Sequence, residues 1–294
     1  MSPAKLDLER IVAIDVHAHV SVSTRAHDNA EGALHGAARR FVSTGEPLPT
    51  VHDAAAYFRQ RKMLAVVFPV NAATGTGSPG VPSDEVAELA SQYPDTLIPF
   101  GSVDPWKVDD AVAEVRRLAE NYGVRGFKFH PITQAFFPND QRFYPIYEAI
   151  QSYKLISIFH SGQTMMGRSL PGGGGIRLKY ANPIYLDDVA ADFPDMPLII
   201  AHPSVPWQDE ALSIALHKPQ VYIDLSGWSP KYFPSQLVQY ANTLLKHKVL
   251  YGSDYPLFTP DRWMSDFEQA PFRDEVRPLI LKHNAARLLG LERS

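Results

Sequence analysis

Ile11-Val12-Ala13-Ile14-Asp15-Val16-His17-Ala18-His19 runs from an apolar strand into two histidines one residue apart. A β-strand sends alternate side chains to the same face, so a His-x-His pair brings two imidazoles to one point in space. A single histidine at a strand end is more often a hydrogen-bonded cap. Two at period two, with Asp15 before them and further polar strand ends downstream, form a metal-chelating pattern.

Seven more short apolar runs follow, at Ala65–Val70, Leu97–Val103, Gly126–His130, Leu155–His160, Leu198–His202, Val221–Leu225 and Val249–Asp254, and with Ile11–Val16 they make eight. Most are followed by a helical pattern, and strands alternating with helices pair in parallel through right-handed crossovers. Val108–Tyr122 puts Ala111, Val112, Val115, Leu118, Ala119 and Tyr122 on one face, with Gly123 where a helix ends. Pro145 and Thr259-Pro260 open two further helices. Eight such units in 294 residues predict an α/β chain of one domain, residues 1–294, folded as a (β/α)8 TIM barrel. A doubly wound open sheet is the alternative, because strand count alone does not prove closure. Two long loops, Ser21–Pro49 after the first strand and Gly162–Asn182 after the fifth, are expected at the C-terminal face, where barrel active sites lie.

Composition narrows the chemistry. There is no cysteine, so a metal would be held by imidazole and carboxylate. The formal charge of −4 is mild and gives no reason to expect nucleic acid or an anionic membrane as partner. No run approaches a membrane span, and the first ten residues lack a signal peptide's apolar stretch, so a cytoplasmic protein is expected.

His17 and His19, His160, His202 and Asp254 end the first, fifth, sixth and eighth runs. Barrel closure would gather them at one mouth. The sequence resembles the amidohydrolase superfamily, in particular its amidohydrolase-related group that includes aminocarboxymuconate semialdehyde decarboxylase. The resemblance is carried by Ile14–His19, Gly126-Phe127-Lys128-Phe129-His130-Pro131, Phe159-His160-Ser161-Gly162, Ala201-His202-Pro203-Ser204, Tyr251-Gly252-Ser253-Asp254-Tyr255-Pro256 and the ending Asn284–Leu289. It implies that His17, His19 and His160 bind one divalent metal, that Asp254 is a further ligand and takes a proton from the attacking water, and that His202 polarises the substrate or shuttles a proton. Such ligands suit Zn²⁺ best, with Mn²⁺ or Fe²⁺ as alternatives.

In two-metal members of the superfamily a carboxylated lysine near the end of strand four bridges the ions; the resemblance offers Lys128 for that role, and otherwise it contacts an anionic substrate or is structural. His130 either meets substrate or caps the barrel. Four consecutive glycines at Gly172–Gly175 lack the Gly-Lys-Ser/Thr ending of a phosphate loop. They fit a flap whose Arg168, Arg177 and Lys179 grip a carboxylate or phosphate, or else a solvated surface loop. Trp207, Trp228, Tyr232, Phe233, Tyr255 and Phe258, with Tyr180 and Tyr185, either form an aromatic pocket or pack the barrel against its helices. The remaining histidines, among them His27, His35 and His52, are expected mostly in solvent.

Three functions fit this pattern. The first is a metal-dependent hydrolase; the flap, Leu178–Pro183 and Ile223–Lys231 resemble a subgroup acting by C–C cleavage on aryl β-ketoacyl-CoA substrates in aromatic catabolism. The second is a non-oxidative decarboxylase of an unsaturated or aromatic carboxylic acid. The third is a barrel that only binds. An arginine for a carboxylate beside the metal favours decarboxylation, and basic residues at a wide rim favour a CoA ester. The expected partner is a small carboxylic acid or acyl-CoA, and a homo-oligomer is compatible with the barrel.

Overall fold

The computed structural model describes residues 7–25, 34, 36 and 48–292. Eight strands run parallel: β1 Ala13–His19, β2 Met63–Phe68, β3 Leu97–Pro99, β4 Gly126–Phe129, β5 Ile156–His160, β6 Leu198–Ala201, β7 Val221–Asp224 and β8 Val249–Leu250. They form two arcs, β1-β2-β3 and β4-β5-β6-β7-β8. The arcs meet at a parallel bridge between Gly101 and Phe127, where the Lys128 N–H donates to the Gly101 carbonyl at 2.8 Å. At the other seam Ala18 bridges to Tyr255, and the Asp254 N–H donates to the His17 carbonyl at 2.9 Å. The sheet therefore returns to β1, which makes it a (β/α)8 barrel and removes the open-sheet alternative.

Among the described residues, eight helices of seven residues or more follow the strands: α1 Val51–Gln60, α2 Ser83–Ala90, α3 Val108–Tyr122, α4 Tyr144–Ser152, α5 Tyr185–Asp192, α6 Gln208–His217, α7 Ser235–Ala241 and α8 Pro260–Gln269. Thr50 opens α1 with a capping box to Asp53, and Thr259 caps α8 ahead of Pro260. The α3 face buries Ala111, Val115 and Leu118 and ends on Gly123 at φ +63, as its sequence dictates. No helix among the described residues is long and apolar enough to cross a membrane.

Alternation along the strands makes two cores. One face packs on the helices through Ala13, Val67, Phe127, Phe129, Phe159, Ile200 and Val249. The other fills the ring with Ile14, Val16, Leu64, Val66, Phe68, Ile98, Ile158 and Ile199, closed below by Ala285, Ala286 and Leu289. Ile14 and Val16 belong to the inner set, so strict period two would send His17 outward. A register irregularity between Asp15 and Ala18 changes the phase, and the His17 ring packs edge-on against inner Phe68 with centroids 5.1 Å apart. That irregularity is what delivers the histidine pair to the barrel mouth.

The strands end earlier than their apolar runs. β3 stops at Pro99, β6 at Ala201 and β8 at Leu250, because the following residues turn out to build loops; His202 and Asp254 adopt φ +74 and +72. The loop expected over Ser21–Pro49 lies mostly outside the described residues, as do His27 and His35. The one over Gly162–Asn182 is present, with short turns at Pro171–Gly175 and Leu178–Ala181.

Candidate metal centre

His17 is fully buried at the end of β1. Its Nδ1 lies 2.9 Å from Asp224 Oδ2 at the end of β7. A carboxylate only accepts, so Nδ1 carries the proton and the Nε2 lone pair faces the mouth. Lys128 Nζ, buried on β4, donates to that Nε2 at 3.0 Å. Ser226 joins the group by donating its hydroxyl to Asp224 Oδ1, while its Oγ accepts from His17 Nδ1 at 3.0 Å and from His202 Nδ1 at 2.9 Å.

The same logic orders the other rings. His202 Nδ1 lies 3.0 Å from the Ser226 carbonyl, an acceptor, so its Nε2 is the lone-pair nitrogen. That Nε2 is 2.9 Å from His160 Nδ1, which must then donate. The chain of donors leaves the lone pair of His160 on Nε2, a buried nitrogen without a hydrogen-bond partner. His130 stacks on His160 with ring centroids 4.0 Å apart and planes 8° apart.

Asp254 completes the cluster after β8. Its Oδ1 is 3.1 Å from His19 Nε2 and 3.4 Å from His17 Nε2. One donor atom from each of His17, His202 and Asp254 lies within 4.8 Å of the others. Gly227 is required beside them: its φ is +73, and a Cβ there would lie 2.7 Å from His202 Nδ1 and 3.3 Å from Asp254 Oδ2.

Burial and neighbouring charges set the protonation states. Burial and the Lys128 cation push His17 down to about 3, and burial also lowers His130, His160 and His202, so these imidazoles are neutral. Burial lowers Lys128 to about 8. For Asp254 burial acts upward, but the His19 hydrogen bond and the nearby imidazoles outweigh it and hold the carboxylate below its usual range. Asp224 behaves alike, with His17 as the main opposing partner. Asp15, fully buried behind the pair, accepts from the N–H groups of His17 and Ser253 yet is pushed by burial up to about 7. Neutral imidazoles, one orphaned ring nitrogen and a fixed carboxylate are a donor set that fits a divalent cation.

The cluster forms the floor of a cavity of about 890 Å³ to which the segments after all eight strands contribute. His19, His130, His160, His202 and Asp254 line it; so do Trp228, Phe258, Met165 and Met166. Of the aromatic residues expected near a pocket, Trp228 and Phe258 reach this cavity. Phe233 and Tyr255 pack into the helix-facing core, and Tyr232 is 69% exposed. Lys128 sits beneath the floor. Arg177, Lys179 and Trp207 do not line this cavity: Arg177 lines a second one, Lys179 lies 5.2 Å above the rings of Phe137 and Tyr180, and Trp207 precedes α6. Two of the flap's three cations, Arg177 and Lys179, are thus placed outside the lining of the main cavity. His52 is also held, with Nδ1 2.8 Å from the Tyr93 hydroxyl.

Asp224 and Ser226 escaped the reading of the sequence as site residues. Asp224 stands next to last in the apolar run Val221–Leu225, a lone acid inside it, and that position was the available signal. Gln134 was likewise missed: it accepts from the His130 N–H at 2.8 Å and donates to the carbonyls of Asn71 and Val103 at 2.8 Å each, tying together the segments after β2, β3 and β4.

The amidohydrolase family model matches residues 14–291. No curated protein matches the chain. Among solved structures, a TIM-barrel protein of Bordetella bronchiseptica, Bb4693, is 22% identical with a TM-score of 0.75, covering 95% of this chain and 98% of that one. The 5-carboxyvanillate decarboxylase LigW of Sphingomonas paucimobilis is 18% identical with a TM-score of 0.67 over 95% and 98% of the two chains. A 5-carboxyvanillate decarboxylase of Novosphingobium aromaticivorans, complexed with manganese and 4-hydroxy-3-methoxy-5-nitrobenzoic acid, is 13% identical with a TM-score of 0.67 over 97% and 98%. At these identities the likeness shows the fold.

Proposed function

Because the chain belongs to the amidohydrolase family and is a metal-dependent enzyme of it, we propose that its reaction is the non-oxidative decarboxylation of an aromatic or unsaturated carboxylic acid by one barrel unit spanning the chain. His17, His19 and His160, together with Asp254, would hold one divalent cation. The support for His160 over His202 is the donor chain: the Nε2 of His202 is engaged by His160, whereas the Nε2 of His160 is unpartnered. Zn²⁺, Mn²⁺ and Fe²⁺ all suit this set, and manganese is present in one of the decarboxylase structures of the same fold. A cation bound there supplies positive charge that orients carboxylate or phenolate oxygens and stabilises charge developing on them.

The remaining work belongs to the side chains. The bond to the carboxyl carbon breaks with its electron pair left on the substrate carbon, CO₂ departs, and one proton must reach that carbon. Asp254 is held as an anion, which leaves His202, at the cavity wall with its Nδ1 proton fixed on Ser226, to take a proton from solvent on Nε2 and pass it to that carbon.

The observation that carries this reading is the charge pattern of the cavity. Lys107 is the one lysine or arginine among its described lining residues, and Asp84, Asp110 and Glu114 stand near it at the rim. Arg25 and Arg117 pair with Asp84, and Arg117 also with Glu114, so these cations are already engaged and the rim is a poor seat for the phosphates of a CoA ester. An acid small enough to lie within the cavity has no such need, and the bound cation would take the place of the anchoring arginine.

The test incubates manganese- or zinc-loaded protein with hydroxybenzoate-type acids in D₂O. Release of CO₂ with one deuterium in the product supports decarboxylation. Conversion of lactones or β-ketoacyl esters in H₂¹⁸O, with ¹⁸O in the product carboxyl and no CO₂ from the acids, would replace it by hydrolysis.

A further inference from the structure

A second cavity, of about 420 Å³, opens beneath the glycine-rich segment after β5. Leu34, Ile132, Leu170, Ile176 and Tyr180 give it mainly apolar walls, with Arg177 among them. Thr76 and Ser78 line this cavity and the main one alike, so the two spaces meet across that pair. Gly75 lets the Ala73–Thr76 turn lie directly against the Pro131–Gln134 turn beside this boundary: a Cβ there would lie 2.2 Å from the Thr133 carbonyl oxygen.

The roof is Gly172–Gly175, with φ from +58 to +83 at all four positions. This left-handed turn is one that only glycine enters freely. A Cβ on Gly174 would lie 2.6 Å from Leu34, so the roof rests directly on that side chain. Arg177 is exposed and makes no ion pair with any described residue. In the main cavity, by contrast, the carboxylates Asp84 and Glu114 are paired with Arg25 and Arg117. An anionic group that reaches the second cavity therefore meets, at Arg177, a cation that no described carboxylate occupies.

We propose that the second cavity is a subsite for the distal arm of an elongated acid, apolar along Ile132 and Ile176 and ending in an anionic group at Arg177. The inference rests on the carboxylic-acid reading for the head group. It explains why a run of glycines stands over a cavity that does not touch the metal cluster.

Titration calorimetry on the manganese-loaded full chain tests it with three probes: benzoate, 4-butylbenzoate and 4-(3-carboxypropyl)benzoate. Both tailed probes are expected to bind at least about tenfold tighter than benzoate, through burial of their methylenes. Arg177→Gln should weaken the dianion about threefold and leave the other two unchanged, the effect of one solvent-facing charge pair. Ile176→Trp, which fills the cavity, should bring both tailed probes to the benzoate level with benzoate unaltered. Benzoate binding without any gain from either tail, or gains that survive Ile176→Trp, would overturn the subsite alone. Failure of benzoate itself to bind would overturn the acid reading and the subsite with it.

Discussion

Asp224 holds His17 in one tautomer, and the metal affinity of the cluster should depend on it. In Asp224→Asn the anion that fixes the Nδ1 proton is gone and the ring is free to turn, so affinity for Mn²⁺ or Zn²⁺ should fall about 10- to 100-fold, read by competition with a chromophoric chelator. An unchanged affinity would reduce Asp224 to a packing role. His202→Ala separates the two ways of grouping the cluster. If His202 manages a proton, the variant keeps nearly all its metal and loses about 100-fold or more in rate. Loss of the metal instead would make His202 a ligand, as its proximity to His17 and Asp254 would then require. At this scale the histidine pair was readable because period two is a local property. Asp224 was not assigned, because its partner stands 207 residues away in the chain.

The elements between the strands were readable wherever a local signal marks their ends. Gly123 and Gly227 show the limit of such signals, since both have positive φ but only one faces the cluster. Gly123→Ala meets open space and should cost about 1 kcal/mol of stability for the left-handed backbone alone, with metal affinity and rate unchanged. Gly227→Ala carries the same backbone cost and also drives a methyl toward His202. It should lower activity at least about tenfold beyond any change seen in Gly123→Ala. Paired urea titrations and rate measurements decide it; equal activity in the two variants would remove the positioning role of the β7 loop. The apolar runs gave the existence of the strands, but their C-terminal ends were overestimated at β3, β6 and β8. Hydrophobicity continues there into loop residues that line the site, and the turn is made by backbone geometry at His202 and Asp254.

The whole molecule buries neutral imidazoles at its centre, and this should make the metal-stripped protein acid-labile. His17, His130, His160 and His202 all have lowered folded pKa values, so as pH falls below about 6.5 the unfolded chain takes up protons that the folded one refuses. Stability is therefore lost on acidification, for His17 down to about 3. Asp15, raised to about 7, acts in the opposite sense between about 3.8 and 7, one carboxyl against four rings. Asp224 and Asp254, both lowered, add a further loss below about 3.8. The urea midpoint should fall steadily from pH 7 to pH 4, and a midpoint that rose over that range would contradict burial of neutral rings. By itself the sequence determined eight parallel strand–helix units and five of the cluster's side chains, because period two, period 3.6 and helix caps are written in neighbouring residues. Only the tertiary structure decided that the sheet closes, that the irregularity in β1 turns His17 inward, that Asp224 fixes its tautomer and that the glycine flap covers a separate cavity. Each of those depends on contacts between residues far apart in the chain, where sequence spacing carries no geometry.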